Sequence, residues 1–151
     1  MLSIVKLIVR ATSLGALLAA LWAGQNPSAK SEYLVFFGSN NARRSKGIHV
    51  SRLDSATGKL TAPELAAETA TSSFLAIHPN GRFLYSVDDT PNFEGQPTGS
   101  VRAYAIDRGT GKLTLLNQVA SHGTVPAHLV VDRSGKNVLV ANYGSGSVAV
   151  L

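Results

Sequence analysis

Two segments of this chain occur twice. Phe74 to Asp88 (FLAIHPNGRFLYSVD) lays over His128 to Asn142 (HLVVDRSGKNVLVAN) without a gap, at an offset of 54 residues. Gly81 falls on Gly135, Arg82 on Lys136, Tyr85 on Leu139 and Asp88 on Asn142. Ile48 to Thr61 (IHVSRLDSATGKLT) matches Val101 to Thr114 (VRAYAIDRGTGKLT) at an offset of 53, with Asp54 on Asp107 and Gly58 on Gly111. Two independent matches at nearly one spacing mark a structural unit used more than once. A unit of about 50 residues carrying four short strands is what a β-propeller blade looks like.

The last copy shows the strand pattern most plainly. His128 to Val131 is apolar and β-branched, Asp132 to Gly135 is a tight turn, and Asn137 to Ala141 is a second strand. Asn142 to Gly146 is a Gly/Ser loop and Ser147 to Leu151 a third strand. Apolar runs bounded by Gly, Asn, Asp and Ser form the antiparallel meander signal. Upstream, Tyr33 to Gly38, Ile48 to Leu53 and Leu60 to Thr69 match the second to fourth strands of a blade. Phe74 to Ile77, Phe83 to Val87, Val101 to Ile106 and Leu113 to Ala120 form a complete one. Ala62 to Ala70 has the composition of a helical turn, but its place in the repeat argues for strand. The expected fold is all-β: a propeller of four-stranded antiparallel blades, incomplete here, with about two and a half blades in residues 32–151. Closure needs about four or more blades. The chain is therefore expected to be the N-terminal part of a longer protein or a truncated product.

The turns are of two kinds. HPNGR and DRSGK join strands one and two, and DSATGK and DRGTGK join strands three and four; these are tight and alike. Asn40 to Lys46, Asp89 to Thr98 and Tyr143 to Gly146 join strands two and three, and they vary. Antiparallel strands alternate direction, so the variable loops share one face with the connections between blades. Binding groups favour variable loops on a rigid scaffold. The working mouth should collect Asn40 to Lys46, Asp88 to Thr98, Ser121 to His128 and Asn142 to Ser147.

Residues 1–23 read as a secretory signal: Lys6 and Arg10 give a positive start, and Ala11 to Gly24 (ATSLGALLAALWAG) is uncharged and too short for a comfortable span. The expectation is export to the periplasm or medium with no stable membrane span, cleavage near Ala23 and a polar linker over residues 24–31. An uncleaved anchor starting at Ile4 is the alternative. Setting Lys6 and Arg10 aside leaves 12 basic against 9 acidic residues, scattered apart from Arg43-Arg44-Ser45-Lys46. No basic stripe interleaved with aromatics appears, so nucleic acid is not an expected partner. The absence of cysteine removes disulfides, thiolate metal sites and a Cys nucleophile.

His128 is the candidate catalytic residue. It stands where the sister copy has Phe74, so the blade pattern does not require a polar group there. It opens the first strand of its blade, which in a propeller lines the central channel. A neutral imidazole there takes a proton from water or donates to a ring oxygen; a half-buried structural histidine is the alternative. His122, six residues earlier, is a second candidate for contact with substrate. No carboxylate at ligand spacing accompanies the two histidines, so neither a metal nor a cofactor is expected. Asn142 and Tyr143 end a strand on the mouth face, where an amide and a phenol would hydrogen-bond substrate hydroxyls or a carbonyl. The alternative for them is an Asn in a left-handed turn and a Tyr packed between blades. His49 and His78 read as structural. Asp88 and Asp89, adjacent on a strand, face opposite ways and do not share a proton easily. Gly144 to Ser147 lacks the nucleophile-elbow spacing.

Three stretches carry a resemblance: GTVPAHLVVDRSGKNVLVANYGSGSVAVL, SKGIHVSRLDSATGKLT and HPNGRFLYSVDD. They resemble the seven-bladed propeller lactonases, including the propeller-type 6-phosphogluconolactonases, over roughly Tyr33 to Leu151. The most specific parts are Pro126-Ala127-His128 and Asn142-Tyr143 with Ser145-Gly146. The resemblance implies metal-free hydrolysis of a sugar lactone in carbohydrate metabolism, with His128 and the Asn142-Tyr143 corner at the channel mouth. It also implies functional Arg, Glu and His positions in later blades. The alternative is a non-enzymatic binding or surface propeller, since VLVANYGSGSVAVL is also similar to YVTN-type repeats.

Overall fold

The computed structural model describes residues 32–39 and 45–151. The expected signal, the linker, Arg43 and Arg44 lie outside the described residues. Among the described residues, eleven strands form three antiparallel sheets. The first sheet contains β1 (Glu32–Phe37), β2 (Gly47–Asp54), β3 (Lys59–Leu60) and β4 (Glu64–Glu68), with β3 and β4 both pairing with β2. The second runs in order through β5 (Leu75–Ile77), β6 (Phe83–Asp88), β7 (Ser100–Ile106) and β8 (Leu113–Ala120). The third holds β9 (Pro126–Val131), β10 (Val138–Asn142) and β11 (Ser147–Val150). These are the blades that the repeat predicts. Ala62 to Ala70 contains strand β4, and the break between β3 and β4 falls at Pro63, which has no N–H to give the ladder. No helix of the described residues is long and apolar enough to cross a membrane.

Alternation along the strands builds the seams between blades. Ile48 and Val50 of the first blade meet Leu84, Tyr104 and Leu113 of the second. Val87 and Val101 of the second meet Leu129, Val138 and Val140 of the third. Full burial of one such side chain contributes roughly 1.5–3 kcal/mol, so the two seams hold the three sheets in register. On the third blade the sister positions of Tyr85 and Val101 are Leu139 and Val148, which are exposed, as are Val130 and Val150.

The tight turns share one mechanism. Asp54, Asp107 and Asp132 each fold a carboxylate back onto backbone amides, Ala56 N–H at 2.9 Å, Gly109 N–H at 2.8 Å and Lys136 N–H at 2.9 Å. Each turn then closes through a glycine with positive φ, Gly58, Gly111 or Gly135, as Asx-turn chemistry requires. His78 adds a fastening between blades. Its Nδ1 accepts the Asn80 N–H at 3.1 Å, and its Nε2 donates to the Gly135 carbonyl at 3.0 Å. His78 is thus structural, as the sequence indicates.

These bonds depress the three carboxylates. The Asn137 amide and Ser134 hydroxyl hold Asp132 down at about 2, against an ordinary 3.8. For Asp107 the Thr110 hydroxyl lowers it most, then the Gly109 amide. A depressed folded value means stability fully present above the ordinary value and lost as pH falls through the folded one. Denaturant midpoints should therefore fall between about pH 4 and about pH 2. Asp132→Ala should flatten part of that slope while lowering stability at neutral pH. Parallel pH profiles for the two proteins would remove Asp132 from the effect.

Candidate functional site

Residues 40–44 of the first variable loop lie outside the described residues; the loop before β7, the β8–β9 connection and the loop after β10 do converge. Ser72 N–H donates to the Ser39 carbonyl at 2.7 Å, and Gly99 N–H to the Gly123 carbonyl at 2.9 Å. Tyr143 N–H reaches the Val125 carbonyl and Gly144 N–H the Thr124 carbonyl, each at 2.9 Å. The connection from β8 to β9 is thus tied on one side to the loop before β7 and on the other to the loop after β10.

That connection aims His128. β9 starts three residues earlier than its sister β5 implies, because Pro126 pairs with Asn142. His128 pairs with Ala141, so Ala127 is an extra residue: a bulge immediately before the histidine. Bulges re-aim side chains beside active sites. The His128 ring is exposed and tilts against Phe74, with centroids 4.2 Å apart and planes at 48°. The sister residues of the two copies are therefore ring partners, on strands β5 and β9 that lie against each other. Neither His128 nitrogen has a hydrogen-bond partner among the described residues. The imidazole is packed on one face against Phe74 and exposed elsewhere.

Asn142 and Tyr143 are placed differently from each other. Asn142 is 2% exposed. Its Nδ2 donates to the Ser121 carbonyl at 2.9 Å and approaches Ser147 Oγ at 3.4 Å, while Oδ1 is buried without a protein donor. Its amide N–H group therefore clamps the β8–β9 connection. A Cβ at Gly123 would come within 2.5 Å of Asn142 Nδ2, so only glycine lets this clamp close. Asn142 is not among the residues with positive φ. Tyr143 is 82% exposed and reaches into solvent rather than packing between blades. His122 is exposed, at a left-handed φ of 54°, beside the loop before β7. The structure thus groups Asn142 with the backbone that carries His128, leaves Tyr143 free, and sets His122 on another part of the mouth.

Sequence reasoning did not reveal the polar groups that rigidify this face. Thr98, Ser121 and Asp88 are all buried. The Thr98 hydroxyl donates to the Gly123 carbonyl at 3.0 Å and accepts the Gly123 N–H at 3.1 Å. Asp88, the sister of Asn142, is ion-paired with Arg102 and accepts from the Thr71 hydroxyl and the Thr90 N–H. A signal was available: both copies end strand two in a residue able to accept hydrogen bonds.

Consecutive antiparallel sheets packed face to face, with short turns at one end and hydrogen-bonded variable loops at the other, define a propeller segment. The family model described as "Lactonase, 7-bladed beta-propeller" matches residues 34–151. The chain belongs to that family. It is 37% identical over 120 residues to the 6-phosphogluconolactonase of Bacillus subtilis, covering 80% of this chain and 33% of that one. It is 34% identical over 116 residues to the 6-phosphogluconolactonase of Formosa agariphila, covering 76% and 32%. The solved periplasmic gluconolactonase of Pseudomonas aeruginosa superposes with a TM-score of 0.70 at 32% identity, covering 80% of this chain and 34% of that one. The chain spans about a third of the length of the curated relatives it matches.

Proposed function

We propose that the propeller containing these blades hydrolyses a sugar lactone, with His128 as its general base. The observation that carries this reading is an imidazole without a hydrogen-bond partner among the described residues, on the first strand of its blade and aimed by a bulge, in a chain of the lactonase family. Water adds through oxygen to the lactone carbonyl carbon, and His128 accepts the proton that water loses. The ring C–O bond then breaks, the departing oxygen takes a proton, and an open-chain hydroxy acid leaves. Donors aimed at the carbonyl oxygen stabilise its developing charge. Tyr143 offers a hydrogen bond to substrate hydroxyls, and Asn142 serves the site by fixing the backbone ahead of His128. The names of the relatives support a gluconolactone, phosphorylated or not, as the substrate class. The same matches favour this reading over a non-enzymatic surface propeller. A complete propeller that accelerates neither gluconolactone nor 6-phosphogluconolactone hydrolysis above the spontaneous rate would end it.

Residues 1–23 are proposed to direct export, leaving residues 32–151 as the propeller portion. Support comes from the charged start, the short uncharged run and the periplasmic relative. After expression in a secretion-competent host, N-terminal sequencing should begin near Gly24. Recovery of intact Met1 from the soluble cytoplasm would reject this.

A further inference from the structure

We propose that the mouth face carries a second binding site, for a neutral saccharide, separate from the channel that His128 faces. The segment between β6 and β7 is a small built hairpin. Phe93 and Gln96 exchange backbone hydrogen bonds at 3.0 Å in both directions across Glu94-Gly95. Both turn residues have positive φ, 52° and 77°, the mark of a type I′ turn, and Asn92 Oδ1 accepts the Gly95 N–H at 2.9 Å. A glutamate holds the position where such turns favour Asn, Asp or Gly. Opposite it stands His122, also left-handed. Non-glycine residues persist in that region when their surroundings over-determine them, and such positions cluster at ligand clamps. The surroundings here do so: Ser121 N–H to the Gly99 carbonyl at 2.9 Å, Gly99 N–H to the Gly123 carbonyl at 2.9 Å, and the two Thr98 bonds bind the walls together.

Between the walls lies a recess of about 460 Å³ lined by Phe93, Glu94, Gln96, Pro97, Thr98 and His122, with Ala120 and Gly123 behind them. This volume falls in the range of small-ligand clefts. The side chains of Glu94, Gln96 and His122 make no hydrogen bond to the protein among the described residues. The ring faces of Phe93 and Pro97 suit the C–H face of a pyranose. A carboxylate, an amide and an imidazole supply paired donors and acceptors for neighbouring hydroxyls. No lysine or arginine lines the recess, so the Glu94 carboxylate repels a phosphate or an aldonate. Among the described residues no three metal-ligating side chains come together. The lining comes from the outer half of the second blade, where Thr98 precedes β7 and Ala120 ends β8, and includes neither His128 nor Tyr143.

Titration calorimetry and saturation-transfer NMR on the chain should show saturable binding of methyl β-D-glucopyranoside, methyl β-D-galactopyranoside or methyl α-D-mannopyranoside. Gluconate should bind more weakly than the sugar that binds best. Phe93→Ala and Gln96→Ala should each weaken the sugar; losing the ring should cost about tenfold or more, as for a buried aromatic anchor. Gln96 is exposed, so its variant keeps the test sound if Phe93→Ala disturbs the fold. Glu94→Asn retains a residue suited to the turn, removes the charge, and should bring gluconate binding up. In the complete propeller, His128→Phe should keep sugar binding while losing lactone hydrolysis, so this proposal and the catalytic one fail separately. No saturable binding of any of the three glycosides overturns the proposal. So does binding indifferent to both Phe93→Ala and Gln96→Ala, or tighter binding of gluconate than of any glycoside.

Discussion

Replacing Arg102 with methionine is expected to destabilise the chain by about 3–5 kcal/mol, because it strands a buried carboxylate. Asp88 is 1% exposed and depends on the Arg102 guanidinium. The rest of its shell is neutral: the Thr71 hydroxyl, the Thr90 N–H at 3.2 Å and Gln118 Nε2 at 3.5 Å. Arg102 also reaches out of its blade, with Nη1 donating to Thr69 Oγ1 at 2.5 Å and to the Thr71 carbonyl at 3.3 Å. The ion pair therefore fastens the connection between the first and second blades to strands β6 and β7. The third blade shows what happens at the same place without charge. Asn142 replaces Asp88, and Ala149, which pairs with Val140 as Arg102 pairs with Ser86, replaces the arginine. Asp88→Asn with Arg102→Ala copies that arrangement and should recover most of the loss, since removing both charges leaves none unpaired. Urea midpoints at one protein concentration for Asp88→Asn, Arg102→Ala and the double variant give the coupling. A loss below about 1 kcal/mol for Arg102→Met, the range of exposed pairs, would mean that the pair is solvated and idle.

That ion pair also marks where the sequence stops being legible. The blades were readable because one spacing repeats and Asx-Gly turns punctuate it. Ala62 to Ala70 resolved as strand on repeat position against its own composition. The Asp88-Asp89 dipeptide read as two adjacent carboxylates on a strand, but β6 ends at Asp88. The dipeptide could not reveal that Asp88's partners come from another strand and from the preceding connection, Arg102 and Thr71. Asn142 was legible as a strand-ending polar residue at the mouth. Its burial follows from Gly123 and Ser121 arriving from the adjacent connection, which no local pattern encodes. The left-handed conformations of His122 and Val125 were hidden for a similar reason: neither is glycine, and hydrogen bonds between separate loops hold their segments, whereas Glu94 takes its own from a local hairpin turn. His78 was recognised as structural, but its bond across the blade seam was not.

In the complete propeller, His128→Phe is expected to lower lactone turnover by about 10²- to 10⁴-fold, the usual contribution of a general base. Phenylalanine is the informative replacement because the sister position already holds Phe74. The new ring keeps an aromatic contact where the imidazole now sits 4.2 Å from Phe74, so packing survives while both nitrogens disappear. A suitable control is His49→Gln. His49 lies on β2 in the first blade, and its Nδ1 lies 3.2 Å from the nearby Gly47 carbonyl, so its loss leaves the third blade intact. His78 would be a poor control, since removing it breaks the bond to Gly135 that fastens the second blade to the third. Hydrolysis is followed at constant pH against the spontaneous background, with circular dichroism confirming that both variants fold. Loss of turnover in His128→Phe alone assigns proton transfer to the imidazole. Wild-type turnover in His128→Phe would reduce that ring to a packing partner of Phe74 and move the search for a base to other blades.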